Sequence, residues 1–169
     1  MLGYVRGAGR GAADRLLTDV AQTLIAQGWP VAAAVQVNVE RFPDRPCDME
    51  LHVLSVGEVV RISQHLGPQA RGCRLDPAGL EQAVGLLETA LAGQPRLMII
   101  NKFGKQEAEG RGFRPLIGQA LAAGVPVLTA VSAANHTAFE AFADGMAEQL
   151  PDDRAAVLAW CRNQEGAAA

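Results

Sequence analysis

Hydrophobic positions along this chain alternate between short continuous runs and stretches with helical spacing. Leu2–Val5 is a short apolar run, followed by the glycine-rich turn Gly7-Ala8-Gly9-Arg10-Gly11. Ala13, Leu16, Leu17, Val20, Ala21, Leu24 and Ile25 then recur on one helix face, and Gly28 ends that helix. Val31–Val39 reads as a buried strand. Pro43 and Pro46 break the chain, and Leu51–Val56 with Glu58–Ile62 reads as a hairpin around Ser55-Val56-Gly57. Asp76-Pro77 is a helix start, with Asp as cap and Pro in the first turn, and that helix runs to about Ala92. Leu97–Ile100 is a wholly apolar strand. A polar loop leads to a helix over Phe113–Ala123, a strand over Val125–Val131, and helices over Asn135–Glu148 and Pro151–Cys161.

Strands alternating with helices specify an α/β fold, and continuous apolar strands specify a mostly parallel sheet covered on both faces. The expectation is a three-layer sandwich of about five strands forming one domain over 1–163, with a frayed tail over 164–169. In such sheets ligands bind outside the carboxyl ends of the strands. The turn after Val5, the loop after Ile100 and the loop after Val131 are therefore expected at one edge.

Composition narrows the function. The 169 residues are 49% hydrophobic and 20% charged, with a net charge of −3, which argues against a disordered chain and a basic nucleic-acid binder. No apolar run is long enough to span a membrane, and the N-terminus lacks the layout of a signal peptide. Three cysteines, Cys47, Cys73 and Cys161, are too few and too odd for a disulfide framework, so a reducing cytoplasm is expected.

The first turn has the strand–glycine–helix layout of a phosphate-binding loop. A working loop needs Lys-Ser or Lys-Thr after the glycines, to neutralise phosphate and hold magnesium. Ala12-Ala13 stands there instead. Backbone amides and Arg10 remain able to attract an anion, although Asp14 in the first helical turn opposes one. A plain tight turn is the competing reading.

The segment after Ile100 is denser in chemistry. It holds Lys102, Lys105, Arg111 and Arg114, three glycines and the carboxylates Glu107 and Glu109 within 14 residues. If both glutamates offset cations, about two positive charges are left for a divalent oxyanion such as phosphate or molybdate. The alternatives are a solvated loop, with Glu107 turned inward, or a protein-contact surface.

Other residues say less. Arg74 precedes the helix starting at Pro77, where an anion is favoured. Cys73 lies between Arg71 and Arg74, which would lower a thiol pKa, but it reads equally as a small buried filler. Cys47, His52 and His65 lack the spacing of a metal site, so no metal is expected. His136 enters the last edge helix beside Asn135, which reads as a cap. No nucleophile motif is present, and the glycines match a dinucleotide fingerprint poorly, with Glu40 late for a ribose ligand.

Leu97–Ile100 followed by Asn101-Lys102-Phe103-Gly104-Lys105-Gln106-Glu107 resembles the Walker B segment of the small thermophile-type P-loop nucleoside-triphosphatases. In those the strand is followed by Asp-Glu and then Gly-Lys-x-Glu. Gly104-Lys105-Gln106-Glu107 keeps the second part, and Asn101-Lys102 replaces the acidic pair. A neutral amide is a poor magnesium partner, and a lysine inverts the charge of the group that activates water.

A broader resemblance covers nearly the whole chain. It rests on Cys47-Asp48-Met49, Gly72-Cys73-Arg74-Leu75-Asp76-Pro77 with Gly79-Leu80, Asn101-Lys102-Phe103-Gly104-Lys105 with Glu107, Gly110-Arg111-Gly112 and Pro126-Val127-Leu128-Thr129. These are similar to an uncharacterised bacterial domain family of unknown function, often encoded beside molybdate transport genes. The resemblance implies a P-loop NTPase-like fold with degenerate motifs and a link to molybdate metabolism. The expected function is non-catalytic binding of an oxyanion, phosphate or nucleotide by Arg10, Arg74, Asn101, Lys102, Lys105, Glu107, Arg111 and Arg114. A divergent nucleoside-triphosphatase or small-molecule transferase, and a protein-interaction scaffold, are the alternatives. A homodimer or a protein partner is compatible with either.

Overall fold

The computed structural model describes residues 1–41, 43–44, 46–64 and 74–164. Arg71, Cys73, His65 and the tail beyond Gln164 lie outside them, and with them any meeting of Cys47 with Cys73. Strands β1 (Leu2–Val5), β2 (Val31–Val39), β3 (Asp48–Val53), β4 (Glu58–Arg61), β5 (Leu97–Phe103), β6 (Val127–Val131) and β7 (Ala147–Gln149) form one sheet, ordered β4-β3-β2-β5-β6-β1-β7. The run from β2 to β7 is parallel. The β3–β4 hairpin adds two antiparallel strands beyond β2, at the place where the sequence predicts a hairpin. The helices are α1 (Ala12–Ala26), α2 (Pro77–Ala92), α3 (Lys105–Ala108), α4 (Arg114–Ala122), α5 (His136–Ala143) and α6 (Arg154–Asn163).

Both faces of the sheet are covered because alternate strand residues point to opposite sides. Leu97 and Ile99 join Leu17, Val20, Leu24, Val157 and Trp160 under α1 and α6. Met98 and Ile100 join Leu80, Leu87, Leu116, Ile117 and Phe139 under α2, α4 and α5. This is the three-layer α/β sandwich predicted from the sequence.

The register places Val5 opposite Ala130 and Ile100 opposite Thr129, so β1, β5 and β6 end at one edge, as expected. Three expectations are corrected. Among the described residues there are seven strands, not about five: the predicted helix Asn135–Glu148 stops at Ala143, Asp144 takes the left-handed conformation, and Ala147–Gln149 pairs with β1. β5 continues through Phe103, so Asn101 and Lys102 belong to the strand and not to the loop. The last helix starts at Arg154, where the Asp153 carboxylate accepts from the Ala156 amide. Asp76 caps α2 as predicted, accepting from the Ala78 amide at 3.0 Å.

Gly79 shows how tightly α2 seats on the hairpin. A Cβ there would lie 2.5 Å from the Arg61 carbonyl oxygen. Gly→Ala inside a helix ordinarily stabilises by about 0.5–1 kcal/mol. Here the collision is with backbone, so Gly79→Ala is expected to destabilise by about 1–3 kcal/mol, read from the urea midpoint.

Candidate functional site at the carboxyl edge of the sheet

The turn after β1 is shaped by Gly7, Gly9 and Gly11, with φ of 77°, 130° and 73°, a region other residues rarely adopt. The amides of Arg6 and Gly7 donate to Asp152 Oδ1 at 3.2 and 3.0 Å. The chain's own carboxylate, carried by the turn between β7 and α6, thus occupies part of the predicted anion-binding turn. Arg10 stands exposed on this turn.

Asp14 decides the chemistry of the α1 terminus. It lies in the first turn and is only 6% exposed. Its Oδ1 accepts from Asn101 Nδ2 at 2.9 Å and faces Lys102 Nζ at 3.3 Å. Its Oδ2 accepts from Asn38 Nδ2 at 3.3 Å, and Asn38 is held in turn by Gln36 at 3.0 Å. A hollow of about 380 Å³ opens beside Asp14 between α1 and the end of β2. Asn101 is buried, and its Oδ1 has no hydrogen-bond partner. Asn101 and Lys102, near the end of β5, are therefore joined to the first turn of the helix after the glycines.

Glu107 points inward. It is 3% exposed, and its two oxygens accept from the Gly104 amide at 2.9 Å and the Phe113 amide at 3.1 Å. Burial pushes its carboxyl pKa up, partly countered by these amides. Glu81 accepts from the Gly112 amide at 3.0 Å alongside. Glu107 is thus the clamp that closes the 104–113 loop and does not face a ligand.

The remaining candidates are spread out. Lys105 is exposed on α3. Arg111 pairs with Glu109 and reaches Gln106 at 3.0 Å. Arg114 sits 5.2 Å over the Phe142 ring. Arg74 donates to the Cys47 carbonyl at 2.7 Å, at the start of β3 and two strands out from β5. Glu109 and Asp14 each answer one cation, so of the four cations in the 101–114 segment Lys105 and Arg114 are the ones with no ion pair to a described residue. Asn135 does not cap α5: its amide donates to Ser132. His136 instead meets the Tyr4 hydroxyl at 3.2 Å, and the same hydroxyl reaches Glu140 at 3.3 Å. Burial and Glu140 together raise the Tyr4 pKa. Among the described residues no group of acids, histidines or cysteines could hold a metal. Cys161 is buried and its thiol pKa is pushed up to about 12, so it is not a reactive nucleophile.

Sequence reasoning did not find Asp14 or Asp152 as partners. Both act across long separations, and a lone carboxylate carries no pattern. A larger cleft of about 570 Å³, lined by Trp29, Arg96, Pro126 and Cys161, lies at the amino ends of the strands, away from these groups.

A family profile described as a protein of unknown function, DUF2478, matches residues 2–160. The chain belongs to the DUF2478 family. A molybdenum import ATP-binding protein of Bradyrhizobium diazoefficiens, ModC 2, is 39% identical to this DUF2478 chain over 150 residues. The match covers 89% of this chain but 17% of that protein, so the chain spans about one sixth of its relative's length. No solved structure matches it significantly. The scaffold of this DUF2478 member is P-loop NTPase-like: a strand, a glycine-rich turn and a helix set among parallel strands. No helix among the described residues is long and apolar enough to cross a membrane.

Proposed function

We propose that this domain binds a small oxyanion or a phosphate-bearing ligand at the carboxyl edge of its sheet and does not hydrolyse it. The observation that carries this reading is the contact of Lys102 with Asp14, backed by Asn101. Hydrolysis of a nucleoside triphosphate needs a lysine and a hydroxyl after the glycines, with an acidic pair at the strand end for magnesium and water. Ala12 and Ala13 supply neither of the first two, and Asn101 and Lys102 neither of the second. Lys102, half exposed, remains with Lys105, Arg10 and Arg114 as donors to an anion. The likeness to a molybdenum import ATP-binding protein supports a role connected with oxyanion import. ATP binding by that protein is not carried over, because the matched stretch lacks the groups that bind and cleave the γ-phosphate.

The test combines thermal melting with a phosphate-release assay. Phosphate, as a group, should raise the Tm more than chloride at equal ionic strength, and Lys102→Ala or Lys105→Ala should abolish the difference. Magnesium-dependent release from ATP or GTP should stay at background. Turnover that vanishes in Lys102→Ala would promote the enzyme reading. A wild type with no anion-specific shift up to millimolar concentrations would make the basic loop a protein-contact surface.

A further inference from the structure

We propose that the hollow beside Asp14 is a binding site for a small polyhydroxylated carboxylate, of the sugar-acid class. It lies between α1 and the end of β2, and its volume of about 380 Å³ falls within the range of small-molecule sites. Lys102 does not line it, so the site is separate from the cationic edge proposed above. The first ground is the hydrogen-bonding character of the wall. Asp14 and Gln36, both on the lining, are at least nine-tenths buried. The Asp14 carboxylate can only accept, so the Asn38 group that meets its Oδ2 at 3.3 Å is the amide nitrogen. Asn38 Oδ1 is then turned to Gln36, which donates to it through Nε2 at 3.0 Å. The Gln36 carbonyl oxygen is left as an acceptor, and each of the two amides keeps a second N–H. Along Asp14, Asn38 and Gln36 acceptors and donors therefore alternate, and Gln22 adds a further amide from α1. A hydroxyl is the group that answers both kinds of partner. No aromatic ring is among the described lining residues, so a flat ring has no stacking surface there.

The second ground is charge. Two carboxylates line the hollow, and both are answered from outside it: Lys102 faces Asp14 at 3.3 Å, and Arg154 donates to Asp19. Arg15 also lines the hollow and makes no ion pair with a described residue. Its guanidinium lies against Gly11, where a Cβ would come within 3.0 Å of Nη1. One uncompensated guanidinium matches one negative charge, and its planar fork pairs with a carboxylate through two parallel N–H···O bonds. A phosphate monoester would bring a second negative charge against Asp14 and Asp19. The ligand that fits is therefore singly charged, with its carboxylate on Arg15 and its hydroxyls on Gln36, Asn38 and Gln22.

The experiment is calorimetric titration of the purified chain at neutral pH and constant ionic strength with gluconate, glucose, hexanoate and a hexose phosphate. Gluconate carries both hydroxyls and a carboxylate, glucose the hydroxyls alone, and hexanoate the carboxylate alone. Gluconate is expected to bind at least about tenfold more tightly than each of the other three. Arg15→Gln should bring gluconate to within about threefold of glucose. Gln36→Leu should bring it to within about threefold of hexanoate. Gln22→Ala, at an exposed position that leaves the core intact, should weaken gluconate at least about threefold and hexanoate not at all. Glucose binding the wild type as tightly as gluconate would overturn the role of Arg15, and hexanoate doing so would overturn the role of the amides. A hexose phosphate binding as tightly would overturn the choice of a carboxylate, and failure of all four would overturn the site. Each of these outcomes leaves the oxyanion reading standing, because that reading is tested by the phosphate-specific shift and its loss in Lys102→Ala.

Discussion

Glu107→Ala is expected to destabilise the domain by about 2–4 kcal/mol, a fall in Tm on the order of 10 °C. The side chain accepts from two backbone amides, Gly104 at 2.9 Å and Phe113 at 3.1 Å, and the second bond is buried. Alanine leaves both donors without that partner, and each unsatisfied buried amide costs about 1–3 kcal/mol. In the wild type the loop backbone sits directly against this carboxylate, since a Cβ at Gly112 would collide with Glu107 Oε1. Glu107→Gln keeps the shape but sets an NH₂ against one of two N–H donors, so it should lose about 1–3 kcal/mol. The variants also separate in pH. Burial raises the folded-state pKa of Glu107 above the ordinary 4.5. Between the ordinary and the raised value the folded state holds more protons than the unfolded state, so stability rises as pH falls through that window and levels off above it. Glutamine does not titrate. The advantage of wild type over Glu107→Gln should therefore grow on acidification toward the ordinary carboxyl range. Urea midpoints that converge instead would contradict burial as the dominant cause.

The layers of this fold are legible in the sequence because each strand carries its own signature. Leu97–Ile100 is apolar throughout, and its residues divide between the two cores by parity. Asp76-Pro77 names a helix start through local chemistry alone, and the structure places the cap there. Ala147–Gln149 has no such signature. It is a strand because β1 offers an unpaired edge, with Leu2 opposite Ala147, and a three-residue partner needs no hydrophobic period. Asn101 and Lys102 read as loop because they are polar, yet the strand persists with Asp14 accepting from Asn101 Nδ2 and facing Lys102 Nζ. The basic loop drew attention for its charge density, but charge density does not say which charges are already answered. Glu107 sits three residues after Gly104, the spacing of a helix-start clamp, so its inward role had a local signal in the Gly-Lys-x-Glu run. Asp14 had none: its partner Asn101 is 87 residues away.

Asp14→Ala should cost about 2–4 kcal/mol at neutral pH, with most of the loss recovered by no single change elsewhere. Three donors converge on this carboxylate: Asn101 Nδ2, Lys102 Nζ and Asn38 Nδ2. Removing it leaves the Asn101 amide, already without a partner at Oδ1, without one at Nδ2 as well. Breaking a fully buried ion pair costs about 3–5 kcal/mol, but the Lys102 side chain is 39% exposed and can turn to water, which places the loss lower. Lys102→Met alone should cost less, about 1 kcal/mol, because Asp14 keeps two amide donors. In the double variant the unanswered ammonium is gone, so the two losses should fall short of additivity by about 1 kcal/mol, within the range found for contacting pairs. The four urea midpoints of this cycle decide the matter. Strict additivity would mean that Lys102 and Asp14 do not act together in solution, and that their contact at 3.3 Å has no energetic content.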